Sequence, residues 1–199
     1  MWELIDRCEK ITIGQIRSLT FMLDLISYQP AYLPTLRELF TEHLQSARNL
    51  AQSEYSVTMD VPNTIDRELN DEALAALYTP PTGSLLLARI DGQIVGCAAI
   101  KRLDLQICEL CRMYVRATHR RQGVARALLD RLISIAQTAN YTTMRLDTPR
   151  FASAAHQLYA EYGFAEIPPY PGTKTPIEHQ PYWLYLERAL TQPPLNLAL

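Results

Sequence analysis

The hydrophobic positions change period several times along the chain, and each change marks a new element. Residues 18–27, SLTFMLDLIS, are a short apolar run that reads as a first strand, and Pro30 and Pro34 bracket the turn after it. From Pro34 to about Tyr55 the residues Leu36, Leu39, Phe40, Leu44, Ala47 and Leu50 recur at three and four, which predicts a helix with one buried face. Pro34 suits the first turn, where the missing amide would have had no partner. A second helix is expected over VPNTIDRELNDEALAALY, capped by Asn63 or Thr64 and ended by Pro80 and Pro81.

GSLLLARI and QIVGCAAIKRL follow as two strands joined by Asp91-Gly92, the strongest short signal for a hairpin. CELCRMYV is another strand. GVARALLDRLISIAQTA is a helix with Ala125, Leu128, Leu129, Leu132, Ile135, Ala136 and Ala139 on one side. TTMRLDT is a short strand, and SAAHQLYAEYGF a helix carrying Ala155, Leu158, Tyr159 and Tyr162 on its apolar side. Gly163 stands where a helix C-terminus favours a left-handed residue. AEIPPY and PYWLYLERAL are the last strands, and the intervening residues 168–181 hold five prolines. This order predicts an α/β fold with a mixed sheet, in which CELCRMYV and TTMRLDT pair in parallel across the intervening helix.

A chain of 199 residues suits one domain and buries enough surface to fold without staples. No apolar run is long enough to span a membrane, and the charged N-terminus has no signal-peptide core, so a cytoplasmic location and no membrane partner are expected. Cys108 and Cys111 are spaced as in a metal or redox pair, but three residues along a strand point the two sulfurs to opposite faces. Reduced thiols and no metal are the expectation for the four cysteines. The net charge of −2 argues against a nucleic-acid partner. It is divided unevenly: residues 1–99 hold thirteen acids and seven bases, residues 100–199 eight acids and twelve bases. A basic second half suits an anionic ligand.

The place for that ligand is VRATHRRQGVARALLDRL, residues 115–132, where a strand gives way to a helix. The first amides of a helix lack partners, and its dipole places partial positive charge there. Arg120, Arg121 and Arg126 add cations at the end where cations are unfavourable, unless a phosphate or pyrophosphate is bound. Gly123 lets oxygens approach the backbone, and Ala125 keeps the next position small. Neither the Lys-Ser/Thr of a nucleotide-triphosphatase loop nor a G-x-G-x-x-G follows.

Arg120, Gly123 and Ala125, after MYV and before an amphipathic helix, resemble the acyl-CoA pyrophosphate loop of the GNAT superfamily of N-acetyltransferases. ASAAHQLYAEYGF is similar to the family's helix ending in Tyr-x-x-x-Gly-Phe. The resemblance is clear from about residue 83 to 190 and loose from 18 to 80. It implies an N-terminal extension (1–17), an acetyltransferase domain (18–190) and a C-terminal tail (191–199). The implied sheet is mixed and mostly antiparallel, flanked by helices, with a splayed parallel strand pair at the cofactor site.

The implied activity is transfer of an acetyl group from acetyl-CoA to a primary amine of a small molecule, peptide or protein, by direct attack. A CoA-binding sensor or interaction module without turnover is the alternative. The resemblance assigns cofactor binding to Met113, Tyr114, Val115, Arg120, Arg121, Gln122, Gly123, Val124, Ala125 and Arg126. Tyr159 is the implied acid that protonates the departing sulfur, with Tyr162 a neighbour of the same type. Glu109 is the implied base and His119 its rival. Ala152 stands where many members carry an asparagine that contacts the cofactor. The acceptor is expected between the first two helices and the proline-rich loop, drawn by Glu38, Glu42 and Glu54 and framed by Tyr170 and Tyr182. Both a monomer and a homodimer remain open.

Overall fold

The computed structural model of the protein describes residues 9–12, 22–58, 60–173 and 175–190. Cys8, residues 18–21 of the expected first strand and the tail lie outside them. The strands are β1 (Glu9–Thr12), β2 (Met22–Ser27), β3 (Ser84–Ile90), β4 (Gln93–Arg102), β5 (Ile107–Val115), β6 (Thr143–Pro149), β7 (Ala165–Ile167) and β8 (Trp183–Ala189). They form one sheet in the order β1-β2-β3-β4-β5-β6-β8-β7. Every pairing is antiparallel except β5 with β6. The mixed α/β sheet with one parallel pair, expected from the sequence, is what the structure has.

The helices are α1 (Leu33–Tyr55), α2 (Val61–Glu68), α3 (Asp71–Tyr78), α4 (Val124–Thr138) and α5 (Ser153–Glu161). Both faces of the sheet are covered, which is why β4 is buried along almost its whole length. Ala98 and Ile100 pack in one core with Leu128, Leu129 and Leu132 of α4, while Cys97 and Ala99 pack in the other with Leu36, Leu39 and Phe40 of α1. None of the helices among the described residues is long and apolar enough to cross a membrane.

Three details depart from the sequence reading. The expected second helix is two helices, because Asp60 caps α2 at Asn63 N and Asn70 caps α3 at Ala73 N. An asparagine whose side chain binds a backbone amide starts a helix rather than continuing one. On α1 the buried row runs through Leu36, Phe40 and Leu44 to Ala51, and Leu50 turns out to solvent. Residues 9–12 add an edge strand that the apolar pattern did not reveal.

The hairpin at Asp91-Gly92 has positive φ at both positions, 49° and 83°, as its tight turn requires. Cys108 lies in the α4 core and Cys111 packs against the α1 core, so the two sulfurs diverge across the sheet. Burial raises the pKa of each to about 12, so both stay thiols.

Candidate active site

Two features of β5 organise the site. Pairing with β6 covers only Ile107–Glu109 against Thr143–Arg145, so the two strands part beyond Glu109. On its other edge β5 pairs with β4, but the register slips between Cys97 and Ala99, opposite Arg112 and Met113. Arg112 sits at φ 54° in this bulge. The extra residue changes the alternation of side chains. Cys111, Arg112 and Tyr114 all turn to the α1 side, while Met113 and Val115 pack on the α4 side.

The loop after β5 ends at Gly123, which caps α4 at φ 82°. That left-handed conformation is cheap for glycine alone. The first bond of the helix ladder runs from Ala127 N to Gly123 O. The amides of the first turn, at Val124, Ala125 and Arg126, precede that bond and have no ladder acceptor. Arg121 is exposed, also with positive φ, 64°.

The arginines are deployed less uniformly than the sequence suggested. Arg120 folds back, with Nε donating to Val115 O at 3.0 Å and its guanidinium over the Tyr114 ring. Arg126 pairs with Glu161 of α5. Of the three arginines, Arg121 alone is left at the head of α4 with no such contact among the described residues. His119 exchanges a hydrogen bond with Thr118, 2.9 Å, in the same loop.

Tyr159 is placed by the way α5 ends. Gly163, at φ 77°, lets Gly163 N reach Ala160 O and Phe164 N reach Tyr159 O. This is a Schellman closure, and its hydrophobic contact is Phe164 against Tyr159, 5.7 Å between ring centres. The Tyr159 hydroxyl ends 3.9 Å from Met113 Sδ, beside the bulge. Burial raises its pKa, so the phenol keeps its proton. Tyr162 instead donates to Asp130 at 2.7 Å, between α4 and α5. Ala152 begins α5 without any side-chain cap.

Glu109 is no exposed strand-end carboxylate. It is buried, with Lys101 Nζ 2.5 Å from Oε2 and the Tyr170 hydroxyl donating to Oε1 at 2.8 Å. Burial raises its pKa, and Lys101 partly offsets this. Tyr170 consequently lies behind Glu109, not at a mouth. Tyr182 stacks on Tyr55 at 4.7 Å and ties the proline-rich loop to the end of α1. Glu38 and Glu42 pair with Arg116 and do not line the cavity described next.

That cavity, of about 380 Å³, opens on the α1 side of β5. Its walls include His43 from α1, Arg67 and Glu68 from α2, Lys101, Glu109, Arg112 and Asp147 from the sheet. Thr175, Pro176 and His179 from the proline-rich loop, with Trp183 at the start of β8, close it. Sequence reading missed His43, Glu68 and Arg112. An arginine inside an apolar strand was the available signal, since a buried guanidinium needs a partner. Glu68 supplies it.

A sequence profile of the acetyltransferase (GNAT) family matches residues 44–164. The chain belongs to the GNAT acetyltransferase family. It is similar to an N-acetylaspartate synthetase of Danio rerio, 41% identical over 47% of this chain and 34% of that protein. It is also similar to the uncharacterized N-acetyltransferase YsnE of Bacillus subtilis, 35% identical over 39% of this chain and 53% of that protein. The chain thus spans about a third to a half of the length of these relatives.

Among solved structures, a GNAT-family acetyltransferase from Staphylococcus aureus aligns with TM-score 0.68 at 22% identity, over 85% of this chain and 99% of that one. PaiA N-acetyltransferase from Thermoplasma acidophilum, in complex with coenzyme A, aligns with TM-score 0.63 at 15% identity, over 84% and 98%. These likenesses show the GNAT fold. The bulged β5, its separation from β6 and the glycine-capped α4 are the parts of this GNAT chain that meet at one place.

Proposed function

We propose that the chain transfers an acetyl group from acetyl-CoA to a primary amine by direct attack. The observation that carries this is the meeting, at the β5 bulge, of two different sites. On one side stand the parted strand edge and the amides of α4. On the other stands a polar cavity containing a buried carboxylate.

The residues fit acetyl-CoA on the cradle they form. The amides from Gln122 to Arg126, with Arg121, suit the pyrophosphate. The open edge of β5 at Met113, Tyr114 and Val115 suits an extended amide-bearing arm, because parted strands leave main-chain groups to pair. Acetyl-CoA supplies an activated acetyl thioester when bound.

The acceptor amine enters from the cavity. An alkyl ammonium has a pKa of about 10.4 and must lose a proton before it can attack. Glu109 receives that proton, directly or through water, and its raised pKa narrows the mismatch. Tyr159 gives a proton to the departing sulfur, since its hydroxyl stands at Met113 on the strand that borders both sites. Main-chain amides of the bulge hold the acetyl oxygen as charge develops on it.

The test is acetyl-CoA-dependent thiol release with a panel of amines. Tyr159→Phe and Glu109→Gln should each lower turnover by roughly 10²–10⁴, the range for general acid–base groups. Affinity for acetyl-CoA should stay near that of the parent. Undiminished turnover in either variant removes the role assigned to that residue.

A further inference from the structure

The cavity is electrically divided. At the α2 wall the buried carboxylate of Glu68 is flanked by two guanidinium groups, bonded by Arg112 and 3.9 Å from Arg67. One carboxylate between two cations leaves an excess of positive charge. Arg112 Nε and His43 Nδ1 are shielded from solvent here without a hydrogen-bond partner among the described residues. Burial first, and then the charge of Arg112, lowers the pKa of His43 to about 4, so the ring is neutral near pH 7. It offers polar atoms to a ligand without adding charge.

At the β5–β6 wall the balance is reversed. Glu109 and Asp147 face one ammonium, that of Lys101. Asp147 already accepts from the Thr173 and Thr175 hydroxyls, at 2.6 and 2.9 Å, which fixes its carboxylate in place. Asp60, also in the lining, is engaged at the start of α2 by Asn63 N. A volume of about 380 Å³ is at the small end for ligand cavities, which suits a small molecule.

We infer that the acceptor is a free amino acid, its ammonium toward Glu109 and Asp147 and its carboxylate toward Arg112 and Arg67. This rests on the reading of the cavity as the acceptor site. A simple amine satisfies only one wall and leaves the guanidinium pair with uncompensated charge and a buried donor unmet. Sites built around a polar group of the substrate discriminate strongly against analogues that lack it. Pro176 and Trp183, on the loop side, face the remaining part of the ligand.

The experiment compares leucine, phenylalanine and methionine with the amines left when each loses its carboxylate: isoamylamine, phenethylamine and 3-(methylthio)propylamine. kcat/KM is read by thiol release from acetyl-CoA, and binding to the CoA-saturated protein by calorimetry. Each amino acid should exceed its amine by at least about tenfold, roughly 1.4 kcal/mol. Arg67→Gln, at an exposed position whose change does not threaten folding, should reduce that ratio to below about threefold. The double variant Glu68→Gln with Arg112→Gln removes one charge of each sign, leaves the net charge of the wall unchanged, and should also reduce the ratio to below about threefold.

Amines equal to or better than their amino acids overturn the inference and leave acetyl transfer standing. Amino acids that bind with the same preference but are not acetylated are ligands and not acceptors, which overturns the inference together with the proposed reaction. Failure of any amino acid to bind the CoA-saturated protein overturns the inference.

Discussion

Gly123 and Glu109 carry most of the account at the scale of single residues. Gly123 holds φ 82° at the head of α4, where another residue is strained by about 1–2 kcal/mol. Gly123→Ala should lower the melting temperature by roughly 2–8 °C, measured without ligand. His43 offers a pH test. Its folded pKa is lowered to about 4 from 6.5, so the folded state binds fewer protons than the unfolded state between those values. Stability is present above pH 6.5 and falls as pH drops toward 4. The parent should lose on the order of 2–3 kcal/mol more than His43→Gln between pH 7 and 4, in denaturant melts. Equal losses would show that the imidazole is not buried as described. The sequence exposed Gly123 through its place among arginines at a helix start, and Tyr159 and Glu109 only through the resemblance to the GNAT superfamily. It did not show that Glu109 is buried against Lys101, since that partner lies on a neighbouring strand and the register settles it.

At the scale of elements, periodicity carried the reading furthest. The period of α1 and α4 was visible because one face of each is buried on the sheet. The split of α2 from α3 was obscured because the apolar period continues across Asn70, and only its side-chain bond to Ala73 N reveals the break. The bulge in β5 was equally hidden. Nothing in CELCRMYV announces a positive φ at Arg112, yet that one residue turns the guanidinium into the cavity. The loop of residues 168–181 was recognisable by its prolines, but not its anchor on α1. Stacking of Tyr182 on Tyr55 is worth roughly 0.5–1.5 kcal/mol. Tyr55→Ala should therefore raise the KM for the acceptor by about 2–10-fold while affinity for acetyl-CoA holds. Equal weakening of both would show that the loop does not belong to the acceptor side alone.

At the scale of the molecule, the sheet separates two cores and brings two chemistries to one strand. α4 and α5 cover the face that presents the glycine-capped helix start and Tyr159. α1 and α2 cover the face that holds the charged cavity. β5 passes between them, and its short pairing with β6 leaves that edge open beyond Glu109. The central claim is that this edge and the α4 amides bind acetyl-CoA. The most direct measurement is the melting temperature with and without saturating acetyl-CoA, for the parent and for Gly123→Glu. At 100-fold above its Kd a ligand adds about 2.7 kcal/mol, a rise of roughly 5–10 °C for a chain of this size. The expected result is that rise in the parent and none in Gly123→Glu, whose side chain brings bulk and negative charge to the amides. No shift in the parent, or the same shift in both proteins, would contradict it.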